Sequence, residues 1–114
     1  MGRREIQYRE ALNEALREEM RRDPLVFCFG EGVAERGGSF QVTKGLLDEF
    51  GPHRVLDTPI SEIAIAGGCV GAAIVGARPV GEILFVDFMT LTMDMVVNQA
   101  AKYNIMTGGN GKVP

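Results

Sequence analysis

Asp57-Thr58-Pro59-Ile60-Ser61-Glu62 runs directly into Ile63–Ala77, a segment built almost wholly of Ile, Val, Ala and Gly. Proline tolerates the first helical turn and a serine hydroxyl can cap an unpaired backbone N–H, so the stretch predicts a helix from Ser61 to Gly76 with one carboxylate at its mouth. No charge follows Glu62 until Arg78. A lone acid at the edge of so apolar a surface is expected to be desolvated, which favours its neutral form and suits proton transfer. The competing reading is structural: a glutamate in a first turn complements the positive end of the helix dipole.

Gly67, Gly71 and Ala72, with Ala64, Gly68 and Gly76 nearby, strip bulk from this helix. Glycine in a helix costs roughly 0.5–1 kcal/mol against alanine, so several of them need a packing reason. That reason is close approach of another backbone, from the chain's own sheet or from a partner helix.

Outward from this segment, Tyr8–Arg22 carries Ala11, Leu12, Ala15, Leu16 and Met20 at helical spacing until Asp23-Pro24 stops it. Leu25–Phe29 reads as a short buried strand closed by Gly30, Val42–Phe50 as a helix ended by Gly51-Pro52, and Arg54–Leu56 as a second strand. Pro79–Val86 is predicted as a third strand and Thr90–Met106 as a last helix. Strands alternating with helices imply an α/β fold, a parallel sheet flanked by helices.

At 114 residues there is room for one domain, and the net charge of -3 gives no footprint for nucleic acid. The start of the chain lacks the Ser/Thr that myristoylation needs at position 6 and no apolar signal region follows it. The uncharged run Ile63–Ala77 is shorter than the roughly 20 residues that span a bilayer. The expectation is a soluble, cytoplasmic protein with no membrane partner. Cys28 and Cys69 stand alone in apolar segments without metal-ligand spacing, so they read as reduced, buried thiols and no metal site is expected on this chain. His53, the single histidine, follows Gly51-Pro52 where exposure is the default.

The glycine-rich loop Gly30–Ser39 invites a nucleotide reading that its residues do not support. Glu35 occupies the place of the third glycine of GxGxxG, no helix opens there, and Glu31 and Glu35 would repel a diphosphate. A flexible structural or subunit-contact loop is the expectation.

The order DTPISE, a Gly/Ala helix, Arg78-Pro79, an apolar segment ending Phe85-Val86-Asp87-Phe88, then Asn98-Gln99-Ala100-Ala101-Lys102-Tyr103 resembles the beta subunit of thiamine diphosphate-dependent 2-oxo acid dehydrogenases. The resemblance covers the whole chain. It implies a transketolase-like pyrimidine-binding domain, with residues 1–114 as its N-terminal part; the tail Gly108–Pro114 reads as a loop leading into a further strand, so a truncated subunit is expected. It implies that Glu62 faces the aminopyrimidine of thiamine diphosphate, stabilises the imino tautomer and lets the exocyclic nitrogen take the proton from the thiazolium C2 carbon. It likewise implies that Phe88 lies against that ring and that Ile60 and Leu84 line the same pocket. Leu91 departs from members with a polar side chain there, and Glu31 and Asp94 match acidic positions of a passage between paired sites.

No GDG motif with a downstream asparagine is present, so the diphosphate and its Mg2+ are expected to be held by a partner chain. In the family this is the alpha subunit of an alpha2beta2 heterotetramer that hands an acyl group to the lipoyl arm of an acyltransferase core. Glu82–Phe88 leans slightly toward acetoin and branched-chain forms over the mammalian pyruvate form. A transketolase-like synthase domain and a non-catalytic α/β assembly module are the competing readings.

Overall fold

The computed structural model describes residues 3–114. Helix α1, Tyr8–Arg22, has the predicted bounds. The Glu10 carboxylate accepts the Gln7 backbone N–H at 2.9 Å at its start, and Arg21 and Arg22 complement the dipole at its end. Strand β1, Val26–Gly30, alternates buried and half-buried side chains, with Val26, Cys28 and Gly30 inward. It is the centre of a three-stranded sheet of order β2-β1-β3, where β2 is Val55–Asp57 and β3 is Arg78–Glu82. Both neighbours run parallel to β1, as the α/β reading requires.

Helix α2, Leu46–Phe50, starts later than the predicted Val42. Gln41 and Gly45 take left-handed φ values of 63° and 74°, which no helix continues through. Between them the Thr43 hydroxyl donates to the Val33 carbonyl at 2.7 Å, so this segment belongs to the loop. Strand β3 ends at Glu82 and not at Val86. Glu82 pairs with Gly30, the last residue of β1, so beyond it the β-forming residues have no strand to pair with. The chain turns instead through the 3-10 turn Val86–Phe88 into α4, Met89–Met93.

The predicted last helix is broken: Asp94–Ala100 is π-helical and α5 covers only Tyr103–Met106. A π segment closes i→i+5 bonds and widens the helix locally. Here Met95 lies over Gly67 of α3, Glu62–Ile74, with its sulfur 3.3 Å from where a Cβ would stand.

Met20, Val26, Cys28, Val33, Leu46 and Val55 form the core on the α1 and α2 side of the sheet. Ile65 and Ala73 are the buried residues of α3. The packing reason for glycine differs along this layer. A Cβ at Gly68 would be 3.0 Å from the Phe29 ring, and one at Gly81 would be 2.7 Å from the Cys69 sulfur, whereas Gly71 faces open space. The close approach is thus to the chain's own sheet at Gly68 and Gly81. Gly81→Ala is therefore expected to destabilise by about 1–3 kcal/mol through overpacking, while Gly71→Ala stabilises by about 0.5–1 kcal/mol through helix propensity. Urea denaturation of the two variants checks this; equal signs would refute it.

Candidate functional site at the carboxyl edge of the sheet

The three strands end level: Gly30 of β1 is in register with Asp57 of β2 on one side and Glu82 of β3 on the other. From β1 the chain goes to one side of the sheet, then crosses back to the other, so β1 marks a topological switch point, where open α/β sheets form ligand crevices at their carboxyl ends. Ile60 and Glu62 leave this edge from β2, and Leu84 and Phe88 leave it from β3.

Glu62 is the first residue of α3 and is half-buried. Ser61 is the N-cap, but its hydroxyl makes no capping bond, contrary to the expectation from sequence; its φ of -168° and ψ of 89° leave the first turn without a side-chain acceptor. Glu62 is the acidic residue of that turn. The salt bridges among the described residues engage other carboxylates, those of Glu14, Glu19 and Glu49. Ile60 is 74% exposed. Phe88 closes the 3-10 turn and packs edge-on against Phe85 at 5.6 Å between centroids, and Phe85 packs edge-on against Phe40 at 5.7 Å. Leu84 lines a cleft of about 370 Å³ with Phe29, Phe40 and Glu82; Ile60, Glu62 and Phe88 do not line it. The four residues share the sheet edge without sharing that cleft. Leu91 is exposed on α4, Glu31 is half-buried just past β1, and the exposed Asp94 accepts the Asn98 amide at 2.8 Å.

Two carboxylates at this edge escaped the sequence reading. Asp57 accepts the backbone N–H of Ala34 at 2.7 Å and of Glu35 at 3.3 Å, tying the glycine-rich loop to β2. Those are the donors a phosphate-binding loop would need, and the protein's own carboxylate takes them. The loop is further closed by Gly38 N–H to Gly32 carbonyl at 2.9 Å and Thr43 N–H to Gly37 carbonyl at 3.1 Å, so it is a hydrogen-bonded element of its own. Glu82, the second, has one carboxylate oxygen buried without a partner. Burial pushes this carboxyl above the ordinary range, and the Ser39 backbone N–H offsets part of the rise.

Burial also pushes the Cys28 thiol up to about 11, against the lowering influence of Arg54, so it stays protonated at neutral pH. Cys69 is raised by burial as well. Both cysteines are free, Cys28 buried and Cys69 half-buried. Among the described residues no three His, Cys, Asp or Glu side chains gather to hold a metal ion, and no helix is long and apolar enough to cross a membrane. His53 is exposed.

Fold and edge together place the chain among α/β domains that present a ligand-binding rim at a parallel switch point. Residues 4–114 match the transketolase pyrimidine binding domain, and the chain belongs to that family. It is 51% identical over 110 residues to the pyruvate dehydrogenase E1 component subunit beta of Rickettsia felis, covering 96% of this chain and 34% of that protein. The mitochondrial counterpart of Chaetomium thermophilum is 52% identical over 108 residues, 95% of this chain and 28% of that one. The beta-2 subunit of Oryza sativa is 50% identical over 111 residues, 97% and 30% respectively. The chain spans about a third of the length of these curated relatives.

Proposed function

We infer that this chain is the pyrimidine-binding part of a beta subunit of a thiamine diphosphate-dependent 2-oxo acid dehydrogenase. The observation that carries the reading is Glu62: a half-buried carboxylate in the first turn of α3, on the carboxyl rim of the sheet. An aminopyrimidine offers a hydrogen-bonding edge and an aromatic face, and Glu62, Phe88, Leu84 and Ile60 offer a carboxyl, a ring and two aliphatic side chains from the same rim. In residue type this set matches what such a ring requires. When bound, thiamine diphosphate supplies the carbanion chemistry that cleaves the bond beside a 2-oxo acid's carbonyl.

In this role the Glu62 carboxyl holds a proton toward the ring nitrogen and fixes its tautomer. Phe88 sets the ring's plane, while Leu84 and Ile60 exclude water from its edge. Mg2+ and the diphosphate fall to an alpha subunit. The assembly is alpha2beta2, feeding a lipoyl acyltransferase core. The relatives named for pyruvate favour that substrate over branched-chain 2-oxo acids or acetoin. Exposed Val75, Val86, Ile105 and Met106 are the apolar surface such an assembly would cover.

Calorimetric titration of thiamine diphosphate tests the reading. The chain with its alpha partner and Mg2+ is expected to bind at least tenfold tighter than the chain alone, a gain of about 1.4 kcal/mol or more. Complex formation without such a gain would instead identify a non-catalytic assembly module, and turnover of sugar phosphates in place of pyruvate would identify a transketolase-like synthase.

A further inference from the structure

Asp57 and Glu82 flank Gly30 at one level, and side chains in register on neighbouring parallel strands share a face. Both meet the loop that leaves Gly30, in different ways. Asp57 is exposed and engages the N–H groups of Ala34 and Glu35. Glu82 is half-buried against the far end of the same loop. Gly38, at φ +77°, passes so close that a Cβ there would lie 2.8 Å from Oε2 and 3.0 Å from Oε1. Two residues on, Phe40 starts the edge-on series Phe40, Phe85, Phe88.

The geometry points to Glu82 as a positioning residue for Phe88: its carboxyl seats the backbone at Gly38, the loop so held places Phe40, and Phe40 through Phe85 sets the Phe88 ring. The seat and the aromatic series stand on contacts alone; that the ring so held orients an aminopyrimidine rests on the function proposed above. A glycine at 38 is required by this seat twice over, for its positive φ and for the approach of the carboxylate.

Few titratable groups surround Glu82. Cys28 faces it from β1, and Asp57 lies two strand spacings away, about 10 Å. Helix α1 adds Leu12 and Leu16 to the cleft, and the loop adds Val33, Phe40, Val42 and Thr43. Titration of Glu82 is therefore read by the Ser39 amide with little interference.

The test is heteronuclear NMR of the whole chain, following the Ser39 amide and the rings of Phe40, Phe85 and Phe88 with pH. In the wild-type chain the Ser39 amide and the Phe40 ring are expected to move with one shared midpoint, above the ordinary glutamate value of about 4.3. Glu82→Gln abolishes the midpoint and keeps the ring shifts, because the planar amide fills the same space against Gly38. Glu82→Leu removes the seat, so the ring-current shifts at Phe85 and Phe88 collapse while the Leu46 and Val55 methyls hold their places. A Ser39 amide that stays flat across the titration, or aromatic shifts unchanged in a folded Glu82→Leu chain, would overturn the proposal. Should Glu82→Leu fail to fold, the wild-type and Glu82→Gln titrations still decide it.

With the alpha partner present, Glu82→Leu is expected to weaken thiamine diphosphate binding roughly tenfold, the upper end of what one edge-on aromatic contact contributes, with kcat at saturation little changed. Glu82→Gln restores the affinity. If Phe88 ignores the cofactor even in the wild-type complex, the cofactor reading fails and the seat stands; if Phe88 responds but Glu82→Leu binds as wild type, the positioning role fails and the cofactor reading stands.

Discussion

Glu62→Gln is expected to lower turnover of the assembled enzyme by about 10²- to 10⁴-fold, the usual worth of a positioned proton-transfer group. Glutamine keeps the length and planarity of the side chain and can still accept a hydrogen bond. It cannot hold or release the proton. Cofactor affinity should therefore fall by less than tenfold while kcat collapses, the signature of a group needed in the reaction and not in binding. The structural alternative predicts otherwise. As a partner of the α3 dipole alone, Glu62 would contribute about 0.3–1 kcal/mol to stability and nothing to turnover. Single-turnover kinetics and exchange of the cofactor C2 proton, measured beside a denaturation curve, separate the two. Turnover within tenfold of wild type would remove Glu62 from the reaction.

The parts of the fold visible in the sequence are those fixed by local rules. Helix α1 has its predicted bounds because apolar residues recur at helical spacing and Asp23-Pro24 ends them. The parallel sheet follows from strands alternating with helices. Where the reading failed, a distant residue decided the outcome. The start of α2 depends on left-handed Gln41 and Gly45 and on Thr43 reaching Val33; the end of β3 depends on where β1 stops, not on the β-forming character of Phe85 and Val86. Within the π segment Met95 packs over Gly67, a contact no local pattern encodes.

The site was legible in the same uneven way. Glu62 stands out because its carboxylate opens a charge-free helix, and its rim placement follows from the order of elements. Asp57 belongs to the same quoted stretch, yet its two bonds run to loop residues more than 20 positions earlier. Glu82 carried a signal that went unused: one acid between the apolar runs of Pro79–Gly81 and Ile83–Val86. An ionisable group in such a strand must be paired, neutral or costly, so its position alone marks Glu82 as unusual.

Arg54→Ala is expected to cost about 3 kcal/mol of folding stability, a large share of the roughly 5–15 kcal/mol a domain has. The guanidinium donates to the carbonyls of Met20 at 2.7 Å, Asp23 at 2.9 Å and Val26 at 2.6 Å, and it lies 5.2 Å from the centroid of the Phe50 ring. Met20 and Asp23 belong to the end of α1, where carbonyls lack helical partners and a positive charge suits the dipole. Val26 opens β1, and Phe50 closes α2. One half-buried side chain just before β2 thus fastens three other elements, each at least four residues and mostly about 30 away in sequence. A bond from a charged donor contributes about 1.5–3 kcal/mol, and several from one guanidinium do not add fully, which sets the figure. Lysine cannot span three carbonyls from one ammonium, so Arg54→Lys should recover less than half of the loss. Thermal unfolding should fall by roughly 10 °C in the alanine variant. Because the Cys28 thiol is buried, its alkylation requires opening, so the alanine variant should be alkylated faster than wild type. A loss below 1 kcal/mol would show that water replaces the guanidinium at these carbonyls, and that the junction of α1, β1 and α2 is held by the apolar core alone.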